Sequence, residues 1–457
     1  MTESLMWAPR AWLPGGWRDS VLLEMGRDGH WVAVTPDVAP PAQATVLTGP
    51  VLPGLVDAHS HAFQRAFAGL AERRESEHDD FWSWRDRMYR VALRITPEQL
   101  RAIAAQLYVE LLRGGYTQVC EFHYLQHAGD GSRYADPLTL SWALADAAHD
   151  AGLGLTLLPV LYERAGFTQP ALRSDQWRFA TTADDVLALR EGARASGRPL
   201  ISAGLAIHSL RAAAPASIAR LTESAGEGPI HIHIAEQTQE VDDCLAVTGQ
   251  RPIEWLVANA SLDARWQLVH ATHSTSSEID AVARSGAGVV LCPATEANLG
   301  DGLADVPGWL AAGVPISIGS DSQVTRAWPE ELRLLEYGQR LVKRARNVAA
   351  SPKDGEPSSA ARLWSRSLDG GAAAAGFARW GLQAGARADL LVIDHEGAAL
   401  LGIPDELLLD ALVFSSPSRP FRDVMVAGRW VAREHRHADA THIAARFEAA
   451  MRELWSD

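Results

Sequence analysis

His59 and His61 stand two residues apart at the end of an apolar run, residues 51–61. In an extended strand, alternate side chains share a face about 6.6 Å apart along the chain, so two such imidazoles can reach one ion over bonds of about 2.0–2.1 Å. The spacing alone is a weak signal, because two hydrogen-bonded loop histidines look the same. It gains meaning from polar residues that end other apolar runs downstream: Glu121 and His123, His208, His233 with Glu236, His270, and Asp321. Packing alone would place aliphatic side chains there. His59, His61, His233 and Asp321 together make three imidazoles and one carboxylate, a ligand set for one divalent ion with a position left for water.

Such an ion lowers the pKa of its water toward neutrality and so provides hydroxide. Asp321 can accept the proton of that water while touching the metal, although an isolated aspartate here would read as a turn residue. Glu236 can carry a proton to a leaving nitrogen, or cap the following helix. His270 can stabilise charge on a tetrahedral adduct. The set suits hydrolysis at a trigonal carbon that bears nitrogen, by deamination or amide hydrolysis, and not redox chemistry. Alternation along 229–234 sends both His231 and His233 inward. His233, nearer the strand end, is the expected ligand, and His231 a buried histidine behind it. His270 is preferred to His273 because it ends its strand.

The elements that must carry these residues alternate. After the first strand comes an aromatic and charged insertion at 72–94 that includes Trp82, Trp84, Arg85 and Tyr89. Thr96, Pro97 and Gln99 then mark a helix start with a reciprocal cap, and Gly114 and Gly115 its stop. Strands are expected at 116–122, 153–161, 201–207, 229–234, 266–269, 288–291 and 315–318, with helices between them. Eight parallel strands with intervening helices predict an α/β fold of the (β/α)8 TIM barrel type, where chemistry collects at the C-terminal strand ends. An open doubly wound sheet is the structural rival. Short strands at 20–24, 30–34 and 44–48, and later ones at 388–393 and 423–431, predict a small β-sandwich built from both chain ends. The expected division is 1–52 for its N-terminal part, 53–375 for the catalytic barrel, and 376–457 for its C-terminal part with a terminal helix.

The 457 residues are 47% hydrophobic and 21% charged, a globular composition. A formal net charge of -14 argues against nucleic acid or an anionic membrane as partner, but not against a small anion bound by local arginines. Cys120, Cys244 and Cys292 are too few and too scattered for a disulfide framework or a thiolate metal site. No signal-peptide pattern and no bilayer-spanning run is present, so a soluble, cytoplasmic protein is expected.

The strand-end residues, with the stretches 54–61, 233–236, 319–321 and 385–392, resemble the amidohydrolase superfamily in its mononuclear deaminase-like branch. The resemblance covers nearly the whole chain. It implies one metal, since no lysine stands at the fourth strand where a binuclear member carries its bridging group. Zn2+ is favoured, while Fe2+, Mn2+ or Ni2+ would also suit these ligands. More narrowly, residues 59–72, 81–85, 121–125, 206–212, 235–241 and 292–302 are similar to the superfamily's iminohydrolases of N-formimino-L-glutamate, a compound of histidine degradation. That similarity implies attack of metal-bound hydroxide on the formimino carbon, with release of ammonia and N-formyl-L-glutamate. A small-molecule dicarboxylate calls for guanidinium forks, here Arg85 and Arg211, and Gln64, Tyr124 and His208 would add hydrogen bonds. Trp82 and Trp84 are expected to pack. A homodimer is implied by resemblance only. Gln126 departs from the pattern, which would have a histidine there. Two rivals make different demands: a purine or pyrimidine deaminase would need stacking and amide contacts in place of paired arginines, and a catalytically silent barrel would lack a metal or proton-transfer residue.

Overall fold

The protein is described here from a computed structural model covering residues 2–74, 80–415 and 417–456. Residues 75–79 of the insertion read at 72–94 lie outside the described residues. The eight barrel strands are Leu55–Ser60, Tyr116–His123, Gly154–Leu161, Leu205–Ser209, Ile230–Ile234, Trp266–His270, Gly288–Leu291 and Ile316–Ile318, numbered one to eight in that order. Each pairs in parallel with the next. Covered by helices outside and filled inside, these strands are buried on both faces, with polar side chains such as Asp57, Gln118 and His231 among the apolar ones. Every residue of Leu55–Ser60 is buried.

The seam between strands eight and one falls where the metal ligands were expected. Ser60 and Asp321 form a parallel bridge. His61 N donates to Asp321 O at 3.2 Å, and Asp321 N donates to His59 O at 2.9 Å. Gly319 lets the strands approach, since a Cβ there would lie 2.6 Å from the His59 Cβ and 2.8 Å from its carbonyl oxygen. Behind the seam, Asp57 accepts Ser320 N at 2.9 Å and Ser320 Oγ at 2.5 Å. Barrel closure and ligand placement are therefore one structural event.

The helix Pro97–Arg113 starts where its cap predicts: Thr96 Oγ1 accepts Gln99 N at 3.2 Å, and Gln99 Oε1 accepts Thr96 N at 3.1 Å. The strand expected at 201–207 is instead two. Ile201–Ala203 lies on strand three beside the barrel path, and after Gly204 the chain enters strand four, Leu205–Ser209.

Strands from both chain ends build a second sheet. Val51–Leu52 is its junction, antiparallel to Leu390–Ile393 and parallel to Thr2–Leu13, which Gly16–Gly26 flanks on its other side. The sheet curls over its own core, including Met6, Ala8, Val21, Leu23, Trp31, Leu390, Val392 and Met425. Alternate residues such as Trp12, Leu52, Leu391, Val424 and Val426 join the barrel core instead. Arg387 ties the two parts together. It forks onto Asp389 at 2.9 and 2.7 Å and reaches Gln118 Oε1 at 2.8 Å and Thr117 O at 3.0 Å, at the foot of strand two. Among the described residues no helix is long and apolar enough to cross a membrane.

Candidate active site

Four side chains converge at the seam. His59 Nε2 lies 3.0 Å from His233 Nε2, and Asp321 Oδ1 lies 3.6 Å from His59 Nε2 and 3.4 Å from His61 Nε2. Two of the rings are fixed from behind. His61 Nδ1 donates to Phe122 O and His233 Nδ1 donates to His208 O, each at 2.9 Å. Those bonds turn the Nε2 lone pairs inward, the usual outer hydrogen bonding of a metal-binding histidine. Burial holds all three imidazoles neutral, lowering the pKa of His61 to about 3 and those of His59 and His233 well below the ordinary value. Burial also raises Asp321 to about 7. Facing imidazole lone pairs beside a buried carboxylate are the donors a divalent ion takes, so this set fits one such ion.

The strand ends are bent to aim these groups. Ala235, His270 and Asp321 have φ of 51°, 70° and 47°, in the left-handed region that a side chain normally avoids. Each such residue costs on the order of 1–3 kcal/mol and persists only where surrounding contacts hold it. At Asp321 those contacts are the seam bonds just described.

His270 stands opposite the ligand cluster. Its Nε2 is 3.7 Å from Glu236 Oε1 and 3.8 Å from Asp321 Oδ2, and its Nδ1 donates to Glu296 Oε1 at 3.3 Å. Burial alone would lower its pKa, but the carboxylates of Glu236, Glu296 and Asp321 outweigh burial and raise it to about 10. These carboxylates favour the protonated form of His270, which faces Asp321 across the cleft. Glu296 is anchored in turn, accepting Cys292 N at 2.9 Å. Inspection of strand ends missed it, because it sits on the short helix Pro293–Leu299 after strand seven. The stretch 292–302 was its only signal.

A cleft of about 670 Å³, open to solvent, leads from this cluster to the surface. Its walls include His61, His233, Glu236, His270 and Asp321 and also Gln64, Arg85, Tyr124, His208 and Arg211, so the expected substrate residues share one cavity with the ligand cluster. His59 lies beneath, fully buried. Gln64 Nε2 donates to the Tyr124 hydroxyl at 3.2 Å, leaving Gln64 Oε1 buried without a partner among the described residues. Arg85 projects from the helix Phe81–Ala92 and Arg211 from the loop after strand four. Arg85 Nε and Arg211 Nη1 are buried and have no hydrogen-bond partner among the described residues.

Other strand-end residues serve as support. Glu121 accepts Ser60 Oγ at 2.9 Å and Ala62 N at 2.6 Å, and burial raises its pKa to about 8. Neither Glu121 nor His123 lines the cleft. His231 is buried with Nε2 2.8 Å from Ala374 O. Trp84 packs against the core as expected and is also a wall of the cleft, together with Phe81, Met88, Tyr89 and Tyr162, which carry no sequence signal for it.

Known proteins are similar to this chain over most or all of its length. The chain is 48% identical over 456 residues, 99% of both proteins, to formimidoylglutamate deiminase of Pseudomonas aeruginosa. It is 30% identical over 414 residues to 5-methylthioadenosine/S-adenosylhomocysteine deaminase of Natronomonas pharaonis, spanning 89% of this chain and 87% of that one. Among solved structures, an amidohydrolase from Brucella melitensis superposes with a TM-score of 0.94 at 40% identity, covering 99% of this chain and 100% of the other. The profile of the amidohydrolase family matches residues 51–431, and the chain belongs to that family.

Proposed function

We propose that this protein hydrolyses the imino C–N bond of N-formimino-L-glutamate, releasing ammonia and N-formyl-L-glutamate, in histidine degradation. The observation that carries the reading is that the cleft joins His61, His233 and Asp321, which meet with the buried His59 at the seam, to two arginines, of which Arg85 Nε and Arg211 Nη1 are buried without a hydrogen-bond partner among the described residues. A dicarboxylate supplies the acceptors those forks need. The similarity over 99% of both chains to a protein named formimidoylglutamate deiminase supports the same substrate.

A divalent ion held by the three imidazoles and Asp321 would supply Lewis acidity and a water of lowered pKa. We assign zinc, because three imidazole nitrogens with one carboxylate suit that borderline ion. The residues of the chain do the rest. Arg85 and Arg211 grip the two substrate carboxylates, with Gln64, Tyr124 and His208 completing the hydrogen bonding. Asp321 takes the proton released by the attacking water. His270 balances the negative charge that develops at the reacting carbon's substituent, and Glu236, 3.7 Å from His270, hands a proton to the nitrogen that departs. A homodimer in the cytoplasm is the assembly and location we assign to the working enzyme.

The test is ammonia release from N-formimino-L-glutamate, compared with a panel of amino-purines and amino-pyrimidines. Turnover of the former alone is expected. Turnover of a heterocycle with none of the formimino compound would replace this reading with that of a nucleobase deaminase.

A further inference from the structure

We infer that Trp82 is a positioning residue that fixes the spacing of Arg85 and Arg211, and through it the length of dicarboxylate the cleft accepts, an inference that rests on the deiminase reading of the same cleft. One indole ring serves both cations. The Arg85 guanidinium carbon lies 4.6 Å from the Trp82 ring centroid, and that of Arg211 lies 5.2 Å from the same ring. Arg85 also lies 5.5 Å from the Tyr89 ring. Trp82, Arg85 and Tyr89 are three and four residues apart on the helix Phe81–Ala92, the spacing at which helical side chains meet. Arg211 comes from a different part of the barrel, so Trp82 is the contact through which the helix and the loop after strand four register their charges.

The placement of the ring fits positioning better than substrate contact. Trp82 is not a wall of the inner cleft, whereas it does line an adjoining outer pocket together with Arg85 and Arg211. The guanidiniums therefore separate the indole from the space a substrate would fill. Arg85 Nη2 lies 3.5 Å from the exposed Asp86, but the two guanidiniums still repel each other as like charges. The negative face of an indole attracts each of them and holds its fork in one orientation. A rigid ring with two side-chain torsions sets a fixed distance between the forks. A flexible aliphatic residue would not.

The experiment compares wild type, Trp82→Leu and Trp82→Phe. Calorimetry gives Kd for N-formyl-L-glutamate and its one-carbon-shorter homologue N-formyl-L-aspartate. Steady-state assays give kcat and KM for N-formimino-L-glutamate. Trp82→Leu is expected to weaken N-formyl-L-glutamate binding about tenfold and to shrink the preference for the longer ligand. KM should rise in parallel while kcat stays within about threefold, and Trp82→Phe should restore most of the affinity and the preference. The inference is overturned if Trp82→Leu leaves both Kd values unchanged, if it weakens both ligands equally, or if the phenylalanine variant behaves like the leucine one. Wild type that binds the longer ligand but releases no ammonia from N-formimino-L-glutamate refutes the deiminase reading alone, and the binding series still decides for or against Trp82. Wild type that binds neither ligand overturns both.

Discussion

Glu236 and Arg211 both line the cleft, and single substitutions test the separate roles proposed for them. Glu236 Oε1 lies 3.7 Å from His270 Nε2. Glu236→Gln should therefore keep the bound ion and lower kcat by about 10²–10⁴-fold, read from metal content and turnover on one sample. Normal turnover would remove Glu236 from proton transfer. Arg211→Ala leaves the ligand cluster intact and removes one fork, so KM for the dicarboxylate should rise about 10- to 100-fold with little change in kcat. At this scale the side chains that converge at the seam were legible because each interrupts an apolar run at its end, where packing gives no reason for an imidazole or a carboxylate. Glu296 was not, because it reaches His270 from a helix, and sequence carries no sign of which buried group a helical carboxylate faces. Trp84 packs against the barrel core as expected and also walls the cleft, a second role without a sequence signal because an aromatic on an amphipathic helix has the same pattern whether it meets a core or a cleft.

The helix Phe81–Ala92 brings Arg85 to the cleft, and Asp80 holds its first turn. Asp80 Oδ1 accepts Trp82 N and Ser83 N, each at 3.0 Å, and Ser83 Oγ accepts Asp80 N at 3.0 Å. Asp80→Ala should destabilise that turn by about 1 kcal/mol. Faster amide exchange across residues 81–85 and a raised KM are expected, with affinity for the metal unchanged. An unaltered KM would show that the cap does not limit how the arginine is presented. Where local signals were complete, elements were readable: the cap of Pro97–Arg113 and the apolar run Gly288–Leu291 both lie where the sequence places them. Two elements were misread for identifiable reasons. Pro9 hides the long strand Thr2–Leu13, yet it sits where that strand changes neighbour, with Met6 and Trp7 pairing Thr45 and Val46 and Ala11 pairing Val51. At 201–207 the apolar residues run on, but the chain passes from one strand to another at Gly204.

Across the whole molecule, the barrel and the second sheet depend on contacts between distant parts of the chain. Alternating strands and helices made the barrel legible, because the right-handed crossover rule leaves few other arrangements. The neighbour order of the second sheet was not, since Val51–Leu52 chooses Leu390–Ile393 as partner through long-range packing. Arg387 locks that arrangement. It is buried, paired with Asp389, and bonded to the foot of strand two. Removing one partner of such a buried pair typically costs about 3–5 kcal/mol, so Arg387→Ala should lower the urea midpoint by that equivalent with no change in the ligand cluster. The seam makes a second demand. Gly319→Ala puts a methyl group against the backbone of His59, and loss of bound metal together with a lowered Tm is expected. A fully metallated, normally stable Gly319→Ala protein would contradict the coupling of barrel closure to ligand geometry.

The central claim is that one ion at His59, His61, His233 and Asp321 works with the arginine-lined cleft to deiminate a dicarboxylate. The measurement that tests it most directly is titration of chelator-treated protein with Zn2+ while ammonia release from N-formimino-L-glutamate is followed. Activity should be lost on chelation, return with added zinc, and saturate at one ion per chain. Ammonia release that survives complete removal of metal, or that never appears in the fully reconstituted protein, would contradict the account.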